Sequence, residues 1–421
     1  MAINLFPPQN MQAEVILPAS KSISNRALII HALASGSKVK KEQLGTVLKN
    51  ISDCDDTFVM IRALTEMPDT IDIMAAGTAM RFLTAYLSVT HGTHIITGTE
   101  RMRHRPIGIL VDALRQLGAQ VEYAGEEGFP PLRITGGRHK GGRLELPGNV
   151  SSQYISALLM IGPIMEEGLT LTLTGNVVSR PYIEMTLSIM RDFGAKAEWT
   201  SDHELKVMPG GYQTIPYLIE NDWSASSYWY QMMALTEDKA PRIVLPALFA
   251  KSLQGDSAIS RIFRPLGIET TFEKDAEGVE RIRLSHSGKP CSRMDYNFVD
   301  QPDLAQTLVV TCAMLGIPFR FTGLQSLKIK ETDRISALRT ELRKLGYDIQ
   351  EQDDSILYWN GERCEAQENP TIDTYEDHRM AMAFAPCAMK LGSLRINNPE
   401  VVSKSYPAFW KDLEKVGFKI C

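Results

Sequence analysis

The 421-residue chain lacks the features that mark several large classes of protein. It has no run of the roughly 18–20 apolar residues that a membrane helix needs, and it does not begin with the basic and then apolar layout of a signal peptide. Its six cysteines are scattered, with no CxxC motif and no cysteine–histidine cluster at metal-ligand spacing. We therefore expect a cytoplasmic protein without disulfide bonds, a structural zinc site or any other metal.

A surplus of positive charge is also missing. The 45 Lys and Arg residues face 50 Asp and Glu residues, so the net charge is −5. This balance argues against a nucleic-acid binder that works through bulk charge, and the absence of GxxxxGK[ST] excludes a P-loop. The chain is 44% hydrophobic and 23% charged, which predicts a packed core. At roughly 100–200 residues per domain, its length predicts two or three domains.

The chain does contain an internal repeat. Five times, an amphipathic helical pattern ends at a glycine and a strand-like segment follows, and each glycine stands where a helix needs a left-handed cap. A weaker copy without its glycine covers Asp56–Ile73. The spacings between the successive glycines are 76, 73, 79 and 71 residues, and the glycines are Gly118, Gly194, Gly267, Gly346 and Gly417.

Six such units of about 70 residues, with helices and strands alternating, predict an α/β or α+β protein of two domains. The strand-like segments include Leu169–Thr174, Arg242–Leu245 and Phe319–Thr322. Position alone puts a domain boundary near Ile219–Trp223.

The repeats also place a cation at or just before a helix start. Arg105 and Arg180 each precede a proline that favours the first helical position, and Lys330 stands 16 residues before a cap glycine. The helix macrodipole disfavours a cation at this end. A bound anion is the simplest reason for the pattern.

Residues 17–30 predict a turn, an N-cap serine and a helix. Lys21 falls in the first turn, and Ser22 and Arg26 are four residues apart on one face. Free N–H groups, hydroxyls and two cations would then point at one place, which favours a phosphate or carboxylate site. The alternative is an ordinary capped helix with a solvated Lys and Arg.

Two further segments place polar groups at predicted helix starts. Residues 75–81 follow a strand-like stretch, and a Gly-Thr at such a turn can bring backbone N–H groups against an oxyanion. Residues 148–154 carry two hydroxyls and an amide, although capping needs only one of them. Both segments therefore favour ligand binding.

Two charged segments nearer the C-terminus differ in their surroundings. The run Lys328–Arg334 predicts a helix start with Lys330 and Arg334 on one face, for which a solvated, salt-bridged surface is the alternative. Residues 377–379 (Asp-His-Arg) directly precede the apolar and small run Met380–Ala388. We expect the latter charges to line a cleft.

Taken in order, these segments resemble the EPSP synthase (3-phosphoshikimate 1-carboxyvinyltransferase) family, enolpyruvyl transferases of the shikimate pathway, which leads to chorismate and aromatic amino acids. The resemblance implies two domains, each of three βαβαββ units forming an inside-out α/β barrel, with the active site in the cleft between them. We expect the domains over 18–221 and over 1–17 plus 222–421. The matching stretches span almost the whole chain and are LPASKSISNRA, AGTAMRFLTA, RPIGILVDALRQLGA, GNVSSQYISALLM, SRPYIEMTL, KIKETDRISALRTELRKLG and TYEDHRMAMAF.

The family reaction moves the enolpyruvyl group of phosphoenolpyruvate onto the 5-hydroxyl of shikimate 3-phosphate through a tetrahedral intermediate, and releases phosphate. The resemblance implies these two small molecules as substrates, with no cofactor, nucleic acid or membrane, and we expect a monomer. The two substrates together bring about five to six negative charges. Clustered Lys and Arg side chains are suited to hold them.

The resemblance also implies the roles of individual residues. Asp303 would take the proton from the attacking hydroxyl, and Glu331 or Lys21 would protonate the methylene carbon, with His378 close by. The residues implied for shikimate 3-phosphate are Lys21, Ser22, Arg26, Ser151, Ser152, Gln153, Ser179, Tyr182, Asp303, Ser326 and Lys330. Those implied for phosphoenolpyruvate are Lys21, Gly77, Thr78, Arg105, Gln153, Arg334, Arg379 and Lys404.

Several positions depart from the common family pattern. Met74-Ala75 stands where Gly-Asn is common, so an amide that would face the ligands is missing. Phe82 replaces a proline, Ala19 replaces a glycine, and Ser326 stands where an asparagine is frequent. We expect these changes to affect inhibitor sensitivity, to glyphosate in particular, and not the acid, the base or the cations.

Three other functions compete with this one. The UDP-N-acetylglucosamine enolpyruvyl transferases share fold and donor, but they generally carry a cysteine just before the arginine equivalent to Arg105, and here no cysteine occurs between Cys54 and Cys291. An RNA 3′-phosphate cyclase-like protein is disfavoured by the net negative charge. A scaffold without catalysis is disfavoured because Lys21, Asp303, Glu331 and His378 are all present.

Overall fold

The computed structural model describes residues 2–36 and 39–421. The chain divides into two compact units, which we call unit A (Ala19–Ile219) and unit B (Met1–Pro18 with Glu220–Cys421). Helices and strands alternate in both, which confirms the mixed α/β class. In the described ranges, no helix combines the length and apolar character that crossing a bilayer requires.

Short strands make up the sheets of both units. The buried leucines of the LTLTLT segment alternate with its threonines, as the sequence pattern predicts for a half-buried strand. The strands are β1 (Ala2–Phe6), β2 (Gln12–Glu14), β3 (Leu48–Lys49), β4 (Thr70–Asp72), β5 (Gly92–Thr97), β6 (Gln120–Tyr123), β7 (Leu132–Gly136), β8 (Gly142–Pro147), β9 (Leu169–Thr174), β10 (Ala197–Ser201), β11 (Glu204–Val207), β12 (Tyr217–Leu218), β13 (Arg242–Pro246), β14 (Ile268–Lys274), β15 (Glu280–His286), β16 (Met294–Asn297), β17 (Phe319–Thr322), β18 (Gln350–Gln352), β19 (Ile356–Trp359), β20 (Thr371–Ile372), β21 (Leu394–Asn397) and β22 (Lys419–Ile420).

One topology recurs in the four-stranded sheets. The first two strands are parallel, and the fourth strand lies antiparallel between the second and the third, as in β4-β5-β7-β6 and β8-β9-β11-β10 of unit A. Unit B repeats this order in β16-β17-β19-β18 and β2-β13-β15-β14. The repeat in the sequence is therefore a repeat of sheet topology.

The first strands of the chain complete two sheets of unit B. Strand β1 has the role of the fourth strand in β20-β21-β1-β22, because it lies antiparallel between β21 and β22. Strand β2 has the role of the first strand, parallel to β13. In unit A, β3 and β12 form a parallel pair of their own. No other strand of the described residues joins this pair.

Buried helices form the centre of each unit. Nearly every residue of α4, α7, α9, α11 and α13 is buried. In unit A, α1, α4 and α7 pack against one another, and in unit B, α11 packs against α9 and α13. The helices are α1 (Lys21–Ser35), α2 (Lys41–Val47), α3 (Asp55–Glu66), α4 (Gly77–Ser88), α5 (Glu100–Arg103), α6 (Gly108–Gln116), α7 (Ser152–Ile161), α8 (Arg180–Asp192), α9 (Trp223–Leu235), α10 (Ile259–Ile262), α11 (Ala305–Leu315), α12 (Arg334–Lys344), α13 (His378–Phe384), α14 (Ala388–Leu391) and α15 (Phe409–Lys415).

The five cap glycines all have positive φ angles, between 83° and 98°. Each ends a helical segment and precedes the third strand of a sheet, which confirms the predicted caps. In the weaker copy, Met67 adopts the left-handed conformation (φ 47°) after α3. There the strand that follows, β4, is the first strand of the next sheet and not the third.

One predicted helix start is wrong. Helix α12 begins at Arg334, with Asp333 as its N-cap, and not in the segment that starts at Lys328. Residues Gln325–Ile329 form a short 3-10 helix instead. The Asp333 side chain accepts a hydrogen bond from the Ser336 backbone N–H at 3.1 Å, and this cap fixes where the helix begins.

Candidate active site

The first helix of unit A carries a cation at its N-terminus. Ser20 caps α1 by accepting a hydrogen bond from the Ile23 backbone N–H, as predicted. Lys21, the first helical residue, lies with its Nζ 3.3 Å from an Asp56 carboxylate oxygen, and both side chains are largely buried. The carboxylate offsets the cost of a cation at this helix end.

Arg26 lies one turn further along α1 and is 2% exposed. Its Nη1 donates to the Ser22 carbonyl oxygen at 2.9 Å, and its Nε donates to the Thr186 hydroxyl at 2.7 Å. Burial lowers the pKa of the guanidinium to about 10. Arg26 therefore remains a buried cation at neutral pH, and the solvated alternative is wrong for it.

Helix α4 begins at Gly77, where a guanidinium lies against the backbone. A Cβ added to Gly77 would sit 2.5 Å from the Arg105 Nη1, so this close approach requires glycine. The buried Nε of Arg105 has no hydrogen-bond partner among the described residues. The arrangement places a cation beside a helix N-terminus, which suits an anion.

Arg81 is a positioning residue that the sequence interpretation missed. It is buried, and its Nη1 and Nη2 donate to the carbonyl oxygens of Gly77 (3.0 Å) and Pro106 (3.2 Å). The Tyr154 hydroxyl donates to the same Pro106 oxygen at 2.6 Å. Arg81 thereby ties the start of α4 to the segment that carries Arg105. An arginine inside an otherwise apolar helix was the available signal.

Helix α7 brings its first residues to the same region. Ser151 is the N-cap and accepts a hydrogen bond from the Gln153 backbone N–H, so it does the capping and leaves the neighbouring Ser152 free of that task. The Gln153 side chain donates to the Thr78 hydroxyl at 3.2 Å. This hydrogen bond joins the first turns of α4 and α7.

Helix α8 starts after a residue with unusual backbone geometry. Ser179 is buried and has a φ angle of 54°, the left-handed region that non-glycine residues rarely adopt. The Tyr182 ring centroid lies 6.0 Å from the Arg26 Cζ. Backbone strain of the kind seen at Ser179 is typical of functional sites. Arg180, another cation at a helix start, instead lies over the Trp199 ring at 4.1 Å.

In unit B, three cations surround Asp303. The Arg334 Nη1 and the Arg379 Nη2 lie 3.1 Å from its two carboxylate oxygens, and the Lys330 Nζ lies 3.6 Å away. Burial opposes ionisation of this carboxyl, but Arg379, Lys330 and Arg334 outweigh burial and hold its pKa well below the ordinary value. Asp303 is therefore a carboxylate in the structure.

Arg334 is shared among carboxylates. Besides Asp303 it contacts Asp377, with Nε 2.7 Å from Oδ2, and Glu331, with Nη2 2.9 Å from Oε2. Burial alone would lower the pKa of Arg334, and the surrounding carboxylates raise it above its ordinary value instead. Lys330 and Glu331 lie before α12, yet both reach this cluster.

Helix α13 begins with the implied residues His378 and Arg379, and the 3-10 helix Pro399–Lys404 ends at the implied Lys404. Asp377 caps α13 by accepting a hydrogen bond from the Arg379 backbone N–H, and His378 is 2% exposed with its Nδ1 3.9 Å from Asp377. Lys404 donates to the Glu376 carbonyl oxygen at 3.1 Å. The buried charges confirm that this segment is not solvated.

Two implied or charged residues stand apart from the Asp303 cluster. Ser326 is half-buried in the 3-10 helix before Lys330. Lys328 pairs with the exposed Asp354 and lies 3.4 Å from Glu351. For Lys328 the salt-bridged alternative is therefore correct, whereas Lys330 belongs to the cluster.

Asp256 is a second residue that the sequence interpretation missed. It is 2% exposed, and its Oδ2 accepts a hydrogen bond from the Ser224 hydroxyl at 2.5 Å. Burial and then the negative charge of Asp303 raise the pKa of Asp256 to about 7. The run QGDSA around it carries no pattern that distinguishes a buried carboxyl from a turn residue.

The site residues thus form two groups, one in each unit. Both are rich in buried cations, and the group in unit B also holds an ionised carboxylate. The family described as EPSP synthase (3-phosphoshikimate 1-carboxyvinyltransferase) matches residues 5–413. A protein of Bacteroides fragilis strain YCH46, named 3-phosphoshikimate 1-carboxyvinyltransferase, is 59% identical over 416 residues, covering 99% of this chain and 98% of the relative.

The chain belongs to the EPSP synthase family. A second relative of the same name, from Sulfurovum sp. strain NBC37-1, is 34% identical and covers 99% of both chains. The EPSP synthase of Acinetobacter baumannii has the same fold, with a TM-score of 0.76 at 22% identity and complete coverage of both chains. An enolpyruvyl transferase of Streptomyces tendae matches with a TM-score of 0.70 at 15% identity, over 100% of this chain and 98% of that one. The EPSP synthase fold predicted from the motifs is confirmed.

Phe82, one of the departures from the family pattern, has a specific contact. Its buried ring lies with its centroid 5.3 Å from the Arg26 Cζ. The departure from the family pattern at this position predicts a change in inhibitor sensitivity. In the structure Phe82 packs on a residue implied for shikimate 3-phosphate.

Proposed function

We propose that this chain catalyses the EPSP synthase reaction of the shikimate pathway with the residues of the two groups described above. The reaction transfers the enolpyruvyl group of phosphoenolpyruvate to the 5-hydroxyl of shikimate 3-phosphate and releases phosphate. Catalysis then combines acid–base groups with cations that stabilise developing charge.

The observation that carries this proposal is the position of Asp303 among Lys330, Arg334 and Arg379. A carboxylate held ionised is ready to accept a proton from a hydroxyl. Substrate phosphate and carboxylate groups share the same cations when they bind, and this weakens the hold of the cations on Asp303. The pKa of Asp303 then rises toward the range in which it accepts a proton during the attack.

Unit A supplies the complementary half of the proposal. Lys21, Ser22 and Gln153 lie at the starts of the buried helices, and Arg105 lies beside Gly77. Backbone N–H groups at helix starts and nearby cations bind phosphate well. We assign Ser22, Arg26, Ser151, Ser152, Ser179 and Tyr182 to shikimate 3-phosphate, and Lys21, Gly77, Thr78, Gln153 and Arg105 to phosphoenolpyruvate, with Lys21 and Gln153 touching both.

Protonation of the methylene carbon of phosphoenolpyruvate needs an acid, in addition to the base Asp303. Glu331 forms an ion pair with Arg334, and Lys21 forms an ion pair with Asp56, so both candidate donors are positioned by ion pairs. We assign the donor role to Glu331, with Lys21 and His378 stabilising charge nearby. Arg334, Arg379 and Lys404 bind phosphoenolpyruvate from unit B, and Lys330 and Ser326 contact shikimate 3-phosphate.

We also propose that the chain acts as a cytoplasmic monomer, with units A and B as the family's two domains. Residues Ala2–Phe6 pair with β21 and β22, so the N-terminal strand is part of unit B.

The test of the catalytic assignment is Asp303→Ala. Loss of a general base lowers turnover by roughly 10²–10⁴-fold, while shikimate 3-phosphate still binds in a calorimetric titration. Asp300→Ala, three residues upstream, is the matched control and keeps its turnover. Near-normal turnover of Asp303→Ala, with loss in Asp300→Ala, would move the base to Asp300.

A further inference from the structure

Arg26 is a buried cation with unusual partners. It is 2% exposed, and in the described part of the chain no carboxylate forms an ion pair with it. Buried arginines are ordinarily paired with carboxylates, as Arg334 is in unit B. The charge of Arg26 is thus held by neutral groups only.

The hydrogen bonds around Arg26 fix the direction in which the Thr186 and Ser156 hydroxyls donate. Thr186 donates its hydroxyl proton to the Tyr182 carbonyl oxygen at 2.8 Å, so its oxygen accepts from the Arg26 Nε. Ser156 lies 2.8 Å from the Thr186 oxygen and donates to it, which leaves the Ser156 oxygen to accept from the Arg26 Nη2 at 3.1 Å. The two hydroxyls therefore both present lone pairs to the guanidinium.

The remaining contacts fix the plane of the guanidinium and leave one N–H available. The Phe82 ring lies 5.3 Å from Cζ and supplies a favourable cation–π contact. A guanidinium has five N–H groups. Four are used by Thr186, Ser156, Ser22 and Tyr182, and for the fifth, on Nη1, the described residues provide no acceptor.

Neutral acceptors orient a cation without neutralising it. A carboxylate in place of Ser156 or Thr186 would compete with a substrate anion for Arg26, whereas hydroxyls and an aromatic face leave its full charge for the ligand. We propose that Ser156, Thr186 and Phe82 are positioning residues that set the affinity for shikimate 3-phosphate by fixing the orientation of Arg26. The inference rests on the proposed function.

The test compares Michaelis constants for the two substrates. Thr186→Val keeps the shape of the side chain and removes the acceptor, and loss of a hydrogen bond to a charged group predicts that the KM for shikimate 3-phosphate rises about tenfold. The KM for phosphoenolpyruvate and the kcat stay within about twofold, because Arg26 acts on the other substrate. Thr186→Ser keeps a hydroxyl acceptor at this position, so its KM for shikimate 3-phosphate should match that of the wild type.

Thr84→Val is the matched control. Thr84 is also a buried helical threonine of unit A that donates to the carbonyl oxygen four residues earlier, at 2.7 Å, but it does not contact Arg26. We expect unchanged KM values for both substrates. Ser156→Ala and Phe82→Leu test the same claim independently if Thr186→Val fails to fold, and each should raise only the KM for shikimate 3-phosphate.

The outcomes separate this inference from the proposed function. Suppose that the wild-type protein turns over both substrates. The positioning role alone is then overturned if the variants leave the KM for shikimate 3-phosphate unchanged, or if they raise it together with the KM for phosphoenolpyruvate. A raised KM for shikimate 3-phosphate in Thr186→Ser also overturns the positioning role. A wild-type protein that neither binds nor turns over shikimate 3-phosphate overturns the proposed function itself.

Discussion

The buried carboxylate of Asp377 holds the buried guanidinium of Arg334 through two contacts, Oδ2 to Nε at 2.7 Å and Oδ1 to Nη2 at 3.3 Å. The same carboxylate caps α13 through the Arg379 backbone N–H. One side chain therefore orients a cation on α12 and begins the helix that carries His378 and Arg379.

Asp377→Asn tests this double role. The amide retains an acceptor for the cap but removes a negative charge from a buried cation, which still keeps Asp303 and Glu331. We expect the free energy of unfolding to fall by about 2 kcal/mol, as for the loss of a hydrogen bond to a charged group, and the KM for phosphoenolpyruvate to rise. Asp348→Asn removes the carboxylate from a largely exposed pair with Arg343 and should cost under about 1 kcal/mol. Equal losses in denaturant titrations of the two variants would contradict the account.

Gly77→Ala tests the close approach of Arg105. The new Cβ would overlap the Arg105 Nη1, and the flexible side chain must move away from the start of α4. We expect the KM for phosphoenolpyruvate to rise about tenfold or more, as for a lost charged contact, with little change in thermal stability. Gly45→Ala is the control, because nothing lies near its Cβ. An unchanged KM in Gly77→Ala would show that Arg105 does not act from this position.

Arg81→Leu tests the residue that ties Gly77 to Pro106. Its removal leaves two carbonyl oxygens without this donor and frees the segment that carries Arg105. We expect weaker phosphoenolpyruvate binding, measured by the KM, and lower stability by about 1–3 kcal/mol. A loss of stability without any rise in the KM would reduce Arg81 to a structural residue.

Asp256→Asn tests the raised pKa of a buried carboxyl. The folded protein keeps this proton up to about pH 7, whereas an ordinary aspartic acid loses it near 3.8, so the wild type loses stability from this group as pH rises between those values. The depressed pKa of Asp303 acts in the opposite sense and below pH 3.8. We expect the Tm of Asp256→Asn, relative to the wild type, to increase from pH 5 to pH 8. A constant difference would contradict the assignment.

The helix ends and the strands of the repeat were predictable because they depend on local chemistry. Gly118 and Gly194 stand where only glycine adopts the left-handed conformation without strain, and Leu169–Thr174 alternates with the period of a strand. The start of α12 was not predictable, because the spacing of Lys330 and Arg334 fits a helix that includes both, whereas the N-cap at Asp333 makes the helix begin at Arg334.

The composition of the site was predictable in part. The motifs predict which segments bind substrates, which stays a prediction, and the implied residues Asp303, Lys330, Arg334 and Arg379 do lie together. Arg81 and Asp256 were missed because their roles come from partners distant in sequence, at Pro106 and Ser224. Local patterns do not show which charged side chains tertiary packing will bury.

The most direct test of the account is phosphate release from phosphoenolpyruvate with two alternative acceptors. The purified wild-type chain should release phosphate with shikimate 3-phosphate, and it should release none with UDP-N-acetylglucosamine. Asp303→Ala, assayed in parallel, should release almost none with either acceptor. Phosphate release with the nucleotide sugar alone would contradict the central claim.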